Sequence, residues 1–231
     1  MVTVKQVIDG DSIELTTGEK IRYKGINAPE RNQHLYREAT DLNRSLVLGK
    51  EIRIVYDEEK KDQYGRSLGY VFVDKVLVNQ EMIRNGLAFL YEHSKTGSYQ
   101  ALFQESMEYA KNNQLGLWKQ SNFPIFINKI NANAPGNDEE NVNGEWLEIK
   151  NQGKEALSLD SFYLKDESNN LFTFPAISIK GNTSLKIYSG KGKNTNQEIY
   201  WGSNRPIWNN DSDSVYLFDH QSLLVDYQQY P

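Results

Sequence analysis

The spacing of apolar residues changes at Trp118, and this change constrains the fold more than any other feature of the sequence. Up to that residue, segments in which apolar and polar residues alternate are interleaved with segments of helical period. Beyond it, short strand-like segments follow one another with turn-rich spacers between them. A chain of 231 residues is long enough for two small domains. Because KQSNFP reads as a linker, we predict domains at residues 1–120 and 123–231.

The first domain is predicted to be a small barrel with helices packed around it. Five segments alternate over strand-like lengths, and three segments repeat with a helical period. The predicted strands are 2–8, 12–15, 20–25, 51–57 and 68–73, and the predicted helices are 36–48, 79–85 and 99–112. Five short strands with three helices are typical of an OB-type (oligonucleotide-binding) barrel.

The second domain is predicted to be an antiparallel β-sandwich, so that the whole chain is mainly β. It contains eight short strand candidates at regular spacing. These are residues 125–131, 145–151, 162–165, 171–174, 184–189, 198–201, 215–218 and 223–227.

Composition limits the kinds of site that the chain can form. Without cysteine it has no disulfide framework and no thiolate zinc site. Three scattered histidines, His34, His93 and His220, make an imidazole metal cluster improbable. A metal ion would therefore be bound by oxygen atoms.

The net charge of −5 belongs to the second domain, because residues 1–120 contain 17 basic and 17 acidic residues. Neither domain has the basic surplus expected of a protein that binds nucleic acid through many phosphates. Any nucleic-acid binding is therefore expected to be local and strongly dependent on salt.

The segment from Val7 to Glu30 places two acids, an arginine, an amide and one more acid within a stretch short enough for a hairpin. Asp11 follows an Asp-Gly turn, Arg22 lies in an alternating segment, and Glu30 follows a proline. Carboxylate and amide oxygens suit calcium or magnesium, a guanidinium suits a phosphoryl oxygen, and a further carboxylate can accept a proton from water. The segment therefore predicts a site for a metal ion and a phosphate.

Each of these residues also has a purely structural explanation. Asp11 could serve only as a turn residue, and Glu30 could be an acid at the start of the next helix. Arg22 could pair with Glu19 in an exposed salt bridge worth about 0–1 kcal/mol. Arg66, in a hairpin loop, could be an ordinary exposed arginine.

The first half of the chain resembles the staphylococcal-nuclease-like (thermonuclease) family. The resemblance covers residues 2–118 and rests on five segments in the family's order and spacing: VIDGDSIEL, IRYKGINAPE, DQYGRSLGYVF, VNQEMIRNGLA and LGLW. It implies a barrel enzyme that cleaves DNA and RNA phosphodiester bonds with one calcium ion. The implied roles are metal binding by Asp11, Asn27 and the backbone carbonyl of Ala28, catalysis by Arg22, Glu30 and Arg66, and nucleotide binding by Tyr64 and Tyr91.

Two positions depart from the family pattern. Asn27 stands where the family usually has a second calcium-binding aspartate, and loss of one negative charge predicts weaker calcium binding. Gln63 stands where some members have a lysine near the substrate phosphate, which predicts a weaker hold on the substrate. Tyr64 and Tyr91 could stack on bases, or they could be ordinary loop and core tyrosines.

The second half resembles the lamin-tail domain over residues 123–231, which implies an immunoglobulin-like β-sandwich. The resemblance rests on four segments: NGEWLEIKNQG, LSLDSFYLKDESNNLFTFP, YWGSNRPIWNNDSDSVYLFD and LLVDYQQY. That family has no shared enzymatic chemistry, so the resemblance implies an accessory domain that binds a protein, a surface or the substrate.

Three functions are consistent with the sequence. The first is a metal-dependent nuclease, with calcium as the expected ion, other divalent ions left open, and DNA or RNA as substrate. The second is a thermonuclease-like module that binds nucleic acid or protein and has lost catalysis through Asn27. The third is an envelope or interaction protein in which the acidic sandwich is the active part. Retention of Glu30 and both arginines favours the first, because a binding module needs no general base.

No apolar run approaches the roughly 20 residues that span a bilayer, so a soluble chain without a transmembrane segment is expected. Nucleases of the resembled family are often exported. An extracellular or cell-envelope location is therefore expected, with a cytoplasmic one left open.

Overall fold

The computed structural model describes residues 1–57, 60–62, 64–91 and 99–230 and divides the chain into two units, Met1–Lys119 and Gln120–Pro231. Of the helices in these ranges, none is both long and apolar enough to cross a membrane.

The first unit contains a closed β-barrel with three α-helices. Its strands are β1 (Val2–Val7), β2 (Ser12–Leu15), β3 (Lys20–Tyr23), β4 (Ile26–Asn27), β5 (Glu51–Val55), β6 (Ser67–Val73), β7 (Val76–Leu77) and β8 (Phe89–Leu90). Its helices are α1 (Tyr36–Val47), α2 (Val78–Arg84) and α3 (Gln100–Asn112).

Closure of the barrel comes from one parallel pairing. The sheet runs in the order β3-β2-β1-β5-β6-β7, and β3 also pairs with β6, with Ile21 opposite Ser67 and Arg22 opposite Leu68. The predicted five-stranded barrel with three helices is therefore confirmed. The sequence did not predict β4, β7 and β8, because two residues are too few to show an alternating pattern.

The alternation along β3 separates a core face from an outer face. Ile21 and Tyr23 are at most 1% exposed, whereas Lys20 is exposed and Arg22 is only partly buried. Successive side chains of a strand point to opposite faces, so Lys20 and Arg22 lie on the same outer side.

A buried amide connects α1 to the barrel. The Asn43 side chain is fully buried; its Oδ1 accepts a hydrogen bond from the Tyr23 hydroxyl at 2.7 Å. Its Nδ2 donates to the backbone carbonyl of Asp9 at 2.8 Å. Asn43 therefore fixes the turn after β1 relative to both the helix and β3.

Over residues 120–230, the second unit contains ten strands. They are β9 (Ile125–Asn131), β10 (Trp146–Asn151), β11 (Leu157–Ser158), β12 (Tyr163–Lys165), β13 (Leu171–Thr173), β14 (Ser178–Ile179), β15 (Ser184–Tyr188), β16 (Glu198–Tyr200), β17 (Asp213–Phe218) and β18 (Leu224–Tyr230).

Two four-stranded sheets enclose the core of this unit, in the orders β16-β15-β10-β9 and β13-β12-β17-β18. Leu147 and Ile187 of the first sheet belong to the same buried cluster as Leu164 and Leu217 of the second. This arrangement agrees with the predicted sandwich. One detail of the prediction was wrong: β15 and β16 pair in parallel, because the nine residues between them carry the chain back before the second strand begins.

Candidate active site

The turn between β1 and β2 carries two acidic side chains. The backbone N–H of Asp11 donates to Oδ1 of Asp9 at 3.0 Å, and the backbone N–H of Ile8 donates to the carbonyl of Ser12 at 2.9 Å. An aspartate that accepts a bond from two residues further along the chain stabilises a tight turn. The turn therefore presents Asp9 and Asp11 at the end of the barrel strands.

Gly10 allows this turn to lie close to its neighbours. A Cβ atom at this position would be 2.6 Å from the Cβ of Ala28 and 2.8 Å from that of Ala39, which lies on α1. Both distances are far below a normal carbon–carbon contact. A side chain here would displace the turn that carries both acids.

Asp11 is only 4% exposed, and both of its carboxylate oxygens have partners. It therefore does not serve only as a turn residue. Oδ2 accepts from the backbone N–H of Ala28 at 2.7 Å. Oδ1 accepts from the Ser12 hydroxyl at 3.0 Å and lies 3.2 Å from Nε of Arg22. Asp11 thus connects β2, β3 and the loop after β4.

Arg22 joins the predicted metal ligands to one another. Its Nη2 donates to the amide oxygen of Asn27 at 2.6 Å, and its Nη1 donates to the carbonyls of Tyr23 and Ile26 at 2.7 and 2.8 Å. The alternative pairing with Glu19 is wrong, because the described partners of Glu19 are the hydroxyls of Ser67, at 2.6 Å, and of Tyr56.

The structure therefore brings together Asp11, Arg22, Asn27 and Ala28. Asn27 is 7% exposed and Ala28 is 2% exposed. The contact from Ala28 to Asp11 uses its backbone N–H. The role predicted for its carbonyl remains a prediction.

Asp9 is a site residue that the sequence reasoning did not include. Burial and the neighbouring charge of Asp11 raise the pKa of Asp9 to about 7. The signal for it in the sequence is the Asp-Gly-Asp spacing, which by itself predicts only a turn. Burial at the end of the barrel, which depends on Asn43 and Gly10, is what makes the first aspartate chemically unusual.

Glu30 lies in the loop between β4 and α1 and is exposed. Its backbone is fixed, because its N–H donates to Oε1 of Gln33 at 3.0 Å and its carbonyl accepts from the N–H of Gln33 at 2.9 Å. The alternative role at the start of a helix is wrong, because α1 begins only at Tyr36. No described contact joins Glu30 to Asp11 or Arg22.

Arg66 immediately precedes β6, two residues before the partner of Arg22 in the pairing of β3 with β6. Its Nε donates to Oδ2 of Asp62 at 2.6 Å, and Oδ1 of Asp62 accepts the backbone N–H groups of Tyr64 and Arg66, each at 2.9 Å. Partial burial raises the pKa of Asp62, but the bonds and charge of Arg66 outweigh this effect and leave the pKa lowered. Asp62 therefore orients both the loop and the guanidinium.

The two predicted nucleotide-binding tyrosines occupy different environments. Tyr64 is 76% exposed, and its ring centroid lies 5.7 Å from Cζ of Arg66. Tyr91 is partly buried, and its backbone N–H donates to the carbonyl of Gly25 at 3.0 Å. Gln63, predicted to weaken substrate binding, lies outside the described residues, as does His93.

The oxygen atoms near Arg22 are of the types that bind a hard divalent cation, but together they carry little negative charge. Asp11 supplies a carboxylate, Asn27 an amide oxygen and Ala28 a backbone carbonyl, all of which are ligand types that calcium accepts. Within the described ranges, no group of three or more His, Cys, Asp and Glu side chains could hold a metal ion. The amide oxygen of Asn27 already accepts from Arg22. The donor set thus fits a weakly held cation.

Comparison with known proteins gives two family matches. Residues 20–120 match the model described as staphylococcal nuclease homologue, and residues 119–231 match the lamin tail domain. These matches confirm the two resemblances drawn from the sequence.

Individual relatives align with the first half of the chain. An uncharacterized endonuclease of Escherichia coli O157:H7 is 38% identical over 122 residues, which cover 51% of this chain and 76% of that protein. The thermonuclease of Staphylococcus intermedius is 29% identical over 126 residues, or 51% and 75% of the two chains. Endonuclease YncB of Bacillus subtilis strain 168 is 30% identical over 133 residues, or 53% and 63%.

Proposed function

Because this chain belongs to the staphylococcal nuclease homologue family and continues into a lamin tail domain, we propose that it hydrolyses nucleic-acid phosphodiester bonds with the help of a divalent metal ion, calcium in the first instance. It is a nuclease-like enzyme, similar to proteins named endonuclease or thermonuclease at 29% to 38% identity. The observation that carries the assignment of roles is the buried network of Asp11, Arg22 and Asn27.

The proposed metal ligands are Asp11, Asn27 and the carbonyl of Ala28. When bound, the ion would neutralise negative charge on the phosphate undergoing reaction. Asp11 is held in place for this role by the N–H of Ala28 and the hydroxyl of Ser12, so its position is set by folding.

The proposed catalytic residues divide the hydrolysis between them. Glu30 accepts a proton from a water molecule, and the water oxygen attacks phosphorus. The bond from phosphorus to the leaving oxygen breaks, and the leaving oxygen takes up a proton from solvent. Arg22 and Arg66 donate hydrogen bonds to the phosphoryl oxygens and stabilise the charge that develops there. The acceptors that hold Arg22 and Arg66 fix the direction of each guanidinium before substrate arrives.

A cleavage assay tests this function. The full chain is incubated with single-stranded DNA, duplex DNA and RNA, each with calcium, magnesium, manganese or a chelator. Products that appear with a divalent ion and disappear with chelator are expected. Absence of products with every ion, while the DNA is still bound, would support the binding-module alternative.

That alternative has one observation in its favour, which is the hydrogen bond from Arg22 to Asn27. An amide has no net charge with which to attract a cation. The oxygen of this amide is also already engaged by a guanidinium. If this bond defines the resting site, the first unit would bind nucleic acid or protein without cutting it.

Restoring a carboxylate at position 27 separates the two functions. We expect Asn27→Asp to strengthen calcium binding by roughly tenfold or more, because ligand charge sets the affinity of such sites. Isothermal titration with calcium measures the change. Asn32→Asp is the matched control, since it adds the same charge at an exposed loop position. Equal calcium affinity in wild type and Asn27→Asp would contradict the proposed role of residue 27.

The lamin tail domain is proposed to be an accessory binding unit. It would place the nuclease on a protein, on a surface or on its substrate, while the chemistry remains in the first unit. DNA or RNA is the proposed substrate, and the oligomeric state is left open.

A further inference from the structure

A basic cleft lies beside the first residue of β3, Lys20, at the end of this strand that is farther from Asp11. It has a volume of about 430 Å³ and is lined by residues 18–20, 61 and 64–67. The turn between β2 and β3 forms one wall, and the hairpin before β6 forms the other. The charged residues in the lining are Glu19, Lys20, Lys61 and Arg66.

The strand geometry connects this cleft to the candidate active site. Lys20 precedes Arg22 by two residues on the outer side of β3, so their Cα atoms are about 7 Å apart along the strand. The backbone of Lys61 forms an isolated antiparallel β-bridge with Ser67, and Ser67 pairs with Ile21 of β3. Ser67 therefore lies between Lys61 and Ile21, and Lys20, the residue before Ile21, lines the same cleft as Lys61 and Arg66.

The two lysines differ from the other charged residues of the cleft in their contacts. Glu19 accepts from Ser67, and Arg66 pairs with Asp62. Lys20 lies opposite Glu14 in the pairing of β2 with β3, but Glu14 accepts from Lys5 at 2.7 Å. In the described part of the chain, Lys20 and Lys61 are exposed and form no ion pair of 4.0 Å or less. Both lysines are thus exposed in the lining of the cleft, and Lys20 has Glu14 as a charged neighbour.

We propose that Lys20 and Lys61 form a second phosphate site, which binds a phosphodiester adjacent to the one cleaved on the same nucleic-acid strand. This inference rests on the proposed nuclease function and adds a site to it. A polynucleotide carries one negative charge per nucleotide, so a strand whose reacting phosphate lies at Arg22 and Arg66 presents further phosphates on either side. The first unit has no net charge, so local cations of this kind are what would attract the strand.

The length of the substrate provides the test. A dinucleotide has a single phosphodiester, whereas each internal phosphodiester of a single-stranded 12-mer has another phosphodiester on both sides. For Lys20→Gln/Lys61→Gln, we expect KM for the 12-mer to rise about tenfold relative to KM for the dinucleotide, with kcat retained. Equal changes of KM for both substrates would overturn the proposal.

A matched control removes the same charge elsewhere. Lys50 and Lys75 are both exposed. Lys75 follows the last residue of β6, and Lys50 precedes β5, whose Arg53 pairs with Phe72 near that same end of β6. Both lysines therefore lie at the end of β6 opposite to the cleft. Lys50→Gln/Lys75→Gln is expected to leave the ratio of the two KM values as in wild type. A ratio altered equally by both double variants would mean that total charge alone is responsible, and this would overturn the proposal.

Binding measurements keep this inference separate from the proposed function. In Glu30→Gln protein, the slope of log affinity against log salt for the 12-mer should become shallower by about 0.7 to 1.4 when both lysines are replaced. An unchanged slope would overturn the second phosphate site even if the wild type cleaves DNA. If the wild type cleaves nothing, the proposed function fails, and the slope still decides whether this cleft binds phosphate.

Discussion

Replacement of Glu30 by Gln is expected to lower kcat for DNA cleavage by roughly 10²- to 10⁴-fold, the range over which a general base contributes. Glutamine has nearly the same shape but cannot accept a proton from water. Glu30 is exposed, and its described hydrogen bonds are those of its backbone with Gln33, so the amide should fit without disturbing the loop. Single-turnover cleavage of a labelled oligonucleotide measures the rate of the chemical step.

The control for this variant must show that the loss is chemical. Thermal unfolding should be nearly unchanged, because exposed substitutions of this type shift stability by about 0.5 kcal/mol or less. Glu38→Gln, on the exposed face of α1, removes the same charge eight residues away and should retain the wild-type rate. Wild-type kcat in Glu30→Gln would exclude Glu30 as the base.

Replacement of Arg22 by Gln is expected to damage both stability and catalysis. The Arg22 side chain is 13% exposed and contacts Asp11, Asn27 and two backbone carbonyls. Removing one partner of such a pair leaves a buried carboxylate without its counter-charge, which typically destabilises a protein by about 3–5 kcal/mol. Denaturant unfolding of the full chain measures this loss, and kcat/KM should fall by roughly 10³-fold where the variant remains folded.

Arg66→Gln separates the two effects. The Arg66 side chain is 34% exposed, and its described ion pair is with Asp62 alone, so its loss should change stability by about 1 kcal/mol or less. Its activity should nevertheless fall, since the same phosphate loses a donor. If Arg22→Gln is as stable as Arg66→Gln, the network around Arg22 is not the structural support that its contacts indicate.

The sequence was sufficient for the larger elements of the fold because their apolar patterns are long enough to read. The predicted helix 36–48 is α1 at Tyr36–Val47, and the predicted strand 125–131 is β9 with the same limits. The sequence could not provide β4 or the parallel pairing of β15 with β16. The first depends on contacts of two residues, and the second depends on the path of the chain between strands.

For the candidate site, the sequence predicted which residues come together but not which hydrogen-bond partners they have. Proximity of Asp11, Arg22 and Asn27 follows from a short segment that forms consecutive strands, and their residue types indicated the chemistry. The identity of their partners was not predictable, since Arg22 reaches Asn27 and not Glu19. The raised pKa of Asp9 depends on burial, which single-sequence patterns do not reveal.

The hydrogen bond from Arg22 to Asn27 also has a thermodynamic consequence. An interaction that an incoming ion must break stabilises the ion-free form of the binding site. Such an interaction lowers the affinity for the ion by the same free energy. Arg22 places a positive charge 3.2 Å from the Asp11 carboxylate, which is also a proposed ligand of the ion. If the proposed site binds calcium, the ion must compete with the charge of Arg22, and occupancy of the site would then follow the calcium concentration.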